Sequence, residues 1–278
     1  MAEGNVFPTM VTGRTAIGLE NHMCAIINNS VYIPKLNTTL NALYDVCASE
    51  SPKNVPKLGW FGIGINGHKN IDDENTTAAR TIKADNLNIY EQIPFVLVPL
   101  DEDKNDYRLK YRMRRLFSIG SVMYVAYYLK PFELVDTSVR IVRIDPNTNK
   151  EVVYELNPDN LRPVPPNPET TGTIGSSSEI QVNQRFLLPI SGSEVAGPVA
   201  TLYNGNLAKA RLSEYGLYTG EEKVVTGYDY NNVPFQYTEV VCAQLSYHTC
   251  TSGMDASQSS SVLNRLITMS GGNLLTMD

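Results

Sequence analysis

The chain has 278 residues, 42% of them hydrophobic and 19% charged, which is enough apolar content to bury a sizeable core in one large domain or two smaller ones. Its formal charge of -6 sets up a field that repels phosphate, which argues against a general nucleic-acid binder and leaves room only for a local basic face. Sixteen tyrosines against one tryptophan, with many Val, Ile and Thr, favour sheet.

Residues 1–20 are polar and broken by Gly4, Pro8, Gly13 and Gly18, the composition of an arm. No basic segment followed by an apolar one opens the chain, so no signal peptide is expected. No apolar run approaches the ~20 residues of a membrane helix. Cys24, Cys47, Cys242 and Cys250 lack C-x-x-C spacing and read as buried thiols of a reducing compartment. Short strands are predicted over 23–27 and 31–33. Leu36, Leu40, Leu43, Tyr44 and Cys47 then share one face at helical spacing, and Ser51-Pro52 ends that helix. A glycine-rich stretch, Lys57 to His68, precedes a polar segment over 68–86, which reads as a long exposed loop containing the acidic run Asp72, Asp73 and Glu74.

Ile93 to Leu100 is an apolar strand whose Pro94 and Pro99 call for an edge position or a bend. The acids Asp101, Glu102, Asp103 and Asp106 precede a strand over 107–116. A turn at Gly120-Ser121 and a strand over 122–129 complete a hairpin. A second hairpin joins 139–144 to 151–156 through Asp145-Pro146-Asn147. Strands are predicted over 180–188, 208–218 and 235–248, and 262–267 suits a short helix or a strand. The expected fold is mainly β, with antiparallel, sandwich-like sheets, one or two short helices and extended arms. A β-rich domain with an N-terminal arm covers 1–156, a Pro/Gly/Ser-rich linker 157–179, and a smaller β-rich region 180–278.

Motifs for chemistry are sparse. Gly62-Ile-Gly-Ile-Asn-Gly67 matches G-x-G-x-x-G, with Asp85 about 20 residues on, where a ribose-binding acid would sit. A dinucleotide site also needs an amphipathic helix next, and His68 to Thr77 has no apolar helical face, so the glycines read as room for a strand to bend or pack closely. Asp101, Asp103 and Asn105 resemble the start of a calcium loop, but Asp106 stands where glycine is needed and Arg112 where a bidentate glutamate belongs. His22, His68 and His248 are far apart and show no ligand-like partners, and no G-x-S-x-G occurs. No catalytic residue, cofactor or metal is expected. Arg108, Lys110, Arg112 and Arg114 alternate with Leu109, Tyr111 and Met113, which in a strand places four cations on one face. That face reads either as a docking surface for an acidic partner or as a set of cations paired with acids of the same chain.

Three segments carry a resemblance: Leu58 to His68 with Ile93-Pro-Phe-Val96; Tyr124-Val-Ala-Tyr-Tyr-Leu129; and Arg211-Leu-Ser-Glu-Tyr-Gly-Leu-Tyr-Thr-Gly220. Together they resemble virion structural proteins of tailed bacteriophages, from the neck, tail or baseplate. The third is similar to an S-E-x-G-L-x-x-G strand and turn of such proteins. The resemblance implies a non-enzymatic subunit that joins other virion proteins and copies of itself in a symmetric ring. It implies location in the virion, after assembly in the host cytoplasm, with no membrane or nucleic-acid partner. The alternative is a host-surface or carbohydrate-binding module of a virion, for which exposed aromatics on a β scaffold would be the feature.

Overall fold

A computed structural model describes residues 10–14, 56–70, 80–82, 89–144, 151–155 and 178–271. The predicted strands at 23–27 and 31–33, the helix at 36–47, the acidic run at 72–74 and nearly all of the 157–179 linker lie outside these residues. The described chain is mainly β, with antiparallel sheets and two α-helices. In order, the elements are β1 (Met10–Arg14), β2 (Lys57–Gly64), β3 (His68–Asn70), β4 (Arg80–Ile82), β5 (Gln92–Ile93), β6 (Val96–Pro99), α1 (Asn105–Lys110), β7 (Arg112–Ile119), β8 (Val122–Pro131), β9 (Glu133–Ile144), β10 (Glu151–Glu155), β11 (Ser178–Leu188), α2 (Ser193–Leu202), β12 (Arg211–Tyr228), β13 (Pro234–Asp255) and β14 (Arg265–Gly271).

Two compact units divide the chain, and each draws on separated segments. One comprises Met1–Phe132 with Pro189–Asn264, the other Glu133–Leu188 with Arg265–Asp278. This differs from the expected 1–156 and 180–278 division. Strand pairing is the reason: β9 pairs with β11, which also takes β14, whereas β12 pairs with β2 and β13. The second unit is a four-stranded sheet in the order β10-β9-β11-β14. It contains the predicted hairpin of β9 and β10 and shows that 265–271 is a strand rather than a helix.

In the first unit an eight-stranded sheet runs β1-β13-β12-β2-β8-β6, with β5 also on β2 and β7 also on β8. Its central strands are covered on both faces. Trp60 to Gly64 of β2 and Leu212 to Gly220 of β12 are buried without a break. Small residues make this possible: a Cβ on Gly216 would lie 2.6 Å from Leu245 Cδ1, and one on Gly220 would lie 2.4 Å from Val240 Cγ1. The core joins Trp60, Ile89, Met113, Leu129, Tyr218, Val240, Ala243 and Leu245. A second set of aromatics packs Phe61 edge-on to Phe95 at 5.2 Å and stacks Phe95 on Tyr111 at 5.9 Å. Each large side chain fully buried in this way contributes roughly 1.5–3 kcal/mol.

Beyond Gly220 the pattern of β12 changes to period two, and Glu222, Val224, Thr226 and Tyr228 face solvent. The hairpin to β13 is closed by Asp229, whose carboxylate accepts from the backbone N–H groups of Asn231 and Val233 at 2.9 and 2.8 Å. The β7–β8 hairpin turns at Gly120, whose φ of +60° suits the first position of a two-residue turn. The apolar stretch after Gln92 is broken at Pro94 into β5 and β6, and β6 ends the sheet path, where its prolines are tolerated. The expected loop at 68–86 contains one short pairing, β3 with β4.

The helix α2 went unread in the sequence because Gly197-Pro198 lies inside it. Its buried Glu194 ties it to the sheet. The carboxylate accepts from Tyr111 Oη at 2.5 Å, from Lys130 Nζ at 2.7 Å and from Ser191 N at 2.8 Å. Burial pushes the carboxyl up, but the bonds from Lys130, Tyr111 and Ser191 outweigh it and hold the group below the usual glutamate value. Because the folded value is the lower one, the stabilisation is complete above the unfolded value of about 4.3 and is lost as pH falls through the depressed folded value. Thermal unfolding from about pH 7 to pH 3 should therefore separate Glu194→Gln from the native chain by roughly 1.5–3 kcal/mol near neutrality, since the buried Lys130 ammonium loses the Glu194 charge while keeping its bond to the Pro189 carbonyl. The gap should narrow on acidification, and a constant gap would refute the assignment.

Candidate functional site

The glycine-rich segment and the S-E-x-G-L-x-x-G segment meet at one buried carboxylate. Glu214 of β12 lies opposite Gly64 of β2 on one side and Cys250 of β13 on the other. Its Oε2 accepts from Asn66 N at 3.0 Å and Glu91 N at 3.2 Å, and its Oε1 accepts from Tyr90 N at 2.7 Å. Next to it, Ser213 Oγ accepts from Gly67 N at 2.9 Å. One N–H of the glycine-rich segment, that of Asn66, thus does hold an anion, together with those of Tyr90 and Glu91, but the anion is a side chain of the same protein. A Cβ on Gly64 would lie 2.6 Å from Glu214 Oε2, and one on Gly67 would lie 2.6 Å from Glu214 Cγ.

His248 and Cys250 stand two residues apart on β13 and so share a face. His248 pairs across β12 with Gly216 and across β1 with Gly13, positions without side chains, where its ring has room. His248 Nε2 is 3.2 Å from Glu214 Oε1 and 3.5 Å from Cys250 Sγ. The donor atoms of Glu214, His248 and Cys250 all lie within 4.8 Å of one another, a group that can hold a metal ion. The expectation that His248 lacks ligand-like partners is therefore corrected. The legible signal is His-x-Cys in a strand, but Glu214 joins it from 34 residues away through sheet register.

A nucleophilic relay does not fit this geometry. Such a relay places nucleophile and acid on opposite ring nitrogens, whereas here both approach Nε2. Glu214 and His248 are 0% exposed and Cys250 is 1% exposed, so no substrate reaches them. Among the described residues, the bonding partners of Glu214 are backbone N–H groups and this imidazole, with no lysine or arginine. His248 Nδ1 has no hydrogen-bond partner among them.

A second carboxylate uses the same device. Glu239 of β13 is fully buried and accepts from Met113 N at 2.5 Å, Arg114 N at 2.8 Å and its neighbour Val240 N at 2.8 Å. Burial pushes its carboxyl up, against the opposing pull of these bonds. Met113 leaves the β7–β8 register at φ +57°, which turns two successive N–H groups toward the acid.

The four cations predicted to share a strand face are divided between two elements. Arg108 and Lys110 belong to α1, and Arg112 and Arg114 belong to β7. Each meets an acid of the same chain. Arg108 and Arg114 both donate to Asp103 Oδ2, at 3.1 and 3.0 Å, and Tyr127 Oη donates to Oδ1 at 2.7 Å. The Arg108 guanidinium also lies 3.5 Å from the centroid of the Phe235 ring. Arg112 pairs with Glu222 at 3.0 Å and Lys110 with Glu194 at 3.3 Å. Asp103, for which the sequence rules out a calcium loop, is thus the buried anchor of two arginines. Cys242 and Cys250 are buried free thiols, while Cys24, Cys47 and Asp85 lie outside the described residues.

Two contrasts test these assignments. Gly64→Ala should cost about 1–3 kcal/mol by overpacking, since Glu214, Ile89 and the Glu91 carbonyl leave no room. Gly59→Ala, with nothing within 4 Å of its Cβ, should stay within about 0.5 kcal/mol. Arg114→Ala should cost roughly 1.5–3 kcal/mol, the worth of a charge-assisted bond, because Asp103 keeps Arg108 and Tyr127, and Glu222→Ala, at an exposed partner, about 0–1 kcal/mol. Urea unfolding midpoints at constant slope read all four, and a silent Arg114→Ala would show that the clamp does not support the fold.

No curated protein and no solved structure matches the chain. No helix among the described residues is long and apolar enough to cross a membrane. One family model matches residues 1–275, nearly the whole chain, and the protein therefore belongs to a family of unknown function, DUF7208.

Proposed function

We propose that the chain is a non-enzymatic structural subunit of a tailed-phage virion, joining copies of itself and other virion proteins in the tail, baseplate or head–tail neck. The observation that carries this reading is the outer half of the β12–β13 hairpin. It is an ordered ladder with a capped turn, yet it holds apolar side chains in water: Val224 is 61% exposed, Tyr230 67% and Val233 54%. Apolar side chains held outward on a rigid ladder suit a surface that another subunit covers. The S-E-x-G-L-x-x-G segment that carries the resemblance forms the root of this same hairpin. Repetition in a ring would multiply a modest contact into a stable joint.

A second reading, a host-surface or carbohydrate-binding module of a virion, draws on the exposed rings of Tyr228 and Tyr230, which suit stacking on sugars. Incorporation of a hairpin variant, together with glycan binding, separates the two. Mass spectrometry of washed particles should find the chain in fixed ratio to the other structural proteins. The double variant Val224→Asp with Tyr230→Asp should keep the native melting curve and lower incorporation at least about tenfold, the effect of some 1.4 kcal/mol at the joint. A chain absent from washed particles overturns the virion reading. Unchanged incorporation of the double variant overturns the hairpin as the joint, and specific binding to a glycan array would transfer the case to the second reading.

A further inference from the structure

We infer that Glu214, His248 and Cys250 bind one zinc ion, which fastens β12 to β13 beneath the turns that carry Asn66 and Tyr90. The separations fit. Zinc bonds of about 2.0–2.1 Å to nitrogen, 2.3 Å to sulfur and 2.0–2.2 Å to oxygen, set at tetrahedral angles, put nitrogen about 3.6 Å from sulfur and about 3.4 Å from oxygen. The observed distances from His248 Nε2 are 3.5 Å to Cys250 Sγ and 3.2 Å to Glu214 Oε1. A nitrogen, a sulfur and a carboxylate oxygen are also the donor set that zinc takes in proteins.

Proton accounting points the same way. Three donor atoms converge on one spot, and a single proton serves them poorly. If Nε2 carries the proton, Glu214 Oε1 and Cys250 Sγ both approach that one N–H. If the thiol donates to a bare Nε2, that nitrogen faces the Glu214 oxygen as a second acceptor at 3.2 Å. A cation in the middle satisfies all three lone pairs together. The charges also close: zinc at +2, a thiolate, a carboxylate and a neutral imidazole sum to zero in a site where no lysine or arginine bonds to Glu214.

The full-length chain, produced in zinc-supplemented medium and freed of loosely bound ions on a chelating resin, should retain about one zinc per chain by elemental mass spectrometry. Exchange into cobalt(II) should give the near-ultraviolet absorption of thiolate-to-cobalt charge transfer. Cys250→Ser, a change of one atom, should lower zinc content at least about tenfold and remove that band, and His248→Gln should do the same. Cys242→Ser, at the other described thiol, should leave both unchanged. A native chain that retains no zinc and shows no charge-transfer band overturns the inference whatever the variants do. A Cys250→Ser chain that keeps its full zinc content also overturns it. This inference does not depend on the virion reading, and the two fail separately.

Discussion

The fold of the first unit turns on how buried carboxylates are satisfied by backbone N–H groups. Moving an ionised carboxylate out of water costs several kcal/mol even after relaxation. Glu214 meets that cost with three N–H donors and an imidazole, and Glu239 meets part of it with three N–H donors, burial still holding its carboxyl raised. Charge-assisted bonds of this kind are each worth roughly 1.5–3 kcal/mol. Several of the donors are far off in sequence. The bonds to Glu214 bridge 123 to 148 residues, and those from Met113 and Arg114 to Glu239 bridge 126 and 125. These acids therefore act as joints between the two chain segments that make up the unit. Closing such separations carries loop entropy that local structure cannot offset, so the joints suit late steps of folding.

The same constraint explains the glycines. Gly64 and Gly67 clear the space that the Glu214 side chain fills beside the Asn66 N–H. At Met113 the chain instead adopts a positive φ with a large side chain, at a cost of order 1 kcal/mol or more, and Glu239 offsets it by taking two consecutive donors. Asp103 performs the third version with guanidinium donors, and Glu194 the fourth with Lys130 and Tyr111. In each case the acid comes from one element and its donors from another, so the acids link elements rather than decorate a surface.

This division explains what was legible in the sequence. Alternating apolar patterns and turn residues exposed the sheet character, the β7–β8 hairpin with its turn at Gly120-Ser121, and the β9–β10 pairing, because those signals are local. The residues Arg108 to Arg114 misled, because strict alternation fits a strand equally well. What decides the matter is Asp103, which draws Arg108 from a helix and Arg114 from a strand onto one carboxylate. The Glu214 centre was invisible for a different reason. Most of its partners are peptide N–H groups, which every residue but proline carries, so no residue code marks them. Register alone brings His248 and Cys250 beside Glu214, and register is set by the whole sheet. The two-unit division escaped for the same reason, since β11 and β14 pair across 77 to 89 residues of intervening chain.

The longest hairpin places these two kinds of chemistry end to end. From Leu212 to Gly220, β12 is buried on both faces and holds Glu214; from Glu221 to Tyr228 it alternates and shows Val224 and Tyr228 to solvent. One unbroken strand thus runs from the most constrained acid of the unit to an apolar exposed face. A surface that docks a neighbour gains affinity when its own conformation costs nothing to fix. Here the fixing is done at the root, by the bonds to Glu214, and at the far end by the Asp229 cap. The ladder between them carries that order to residues with few buried contacts of their own. Under the proposed subunit role, the buried acid would hold rigid the hairpin whose exposed apolar face docks a neighbour.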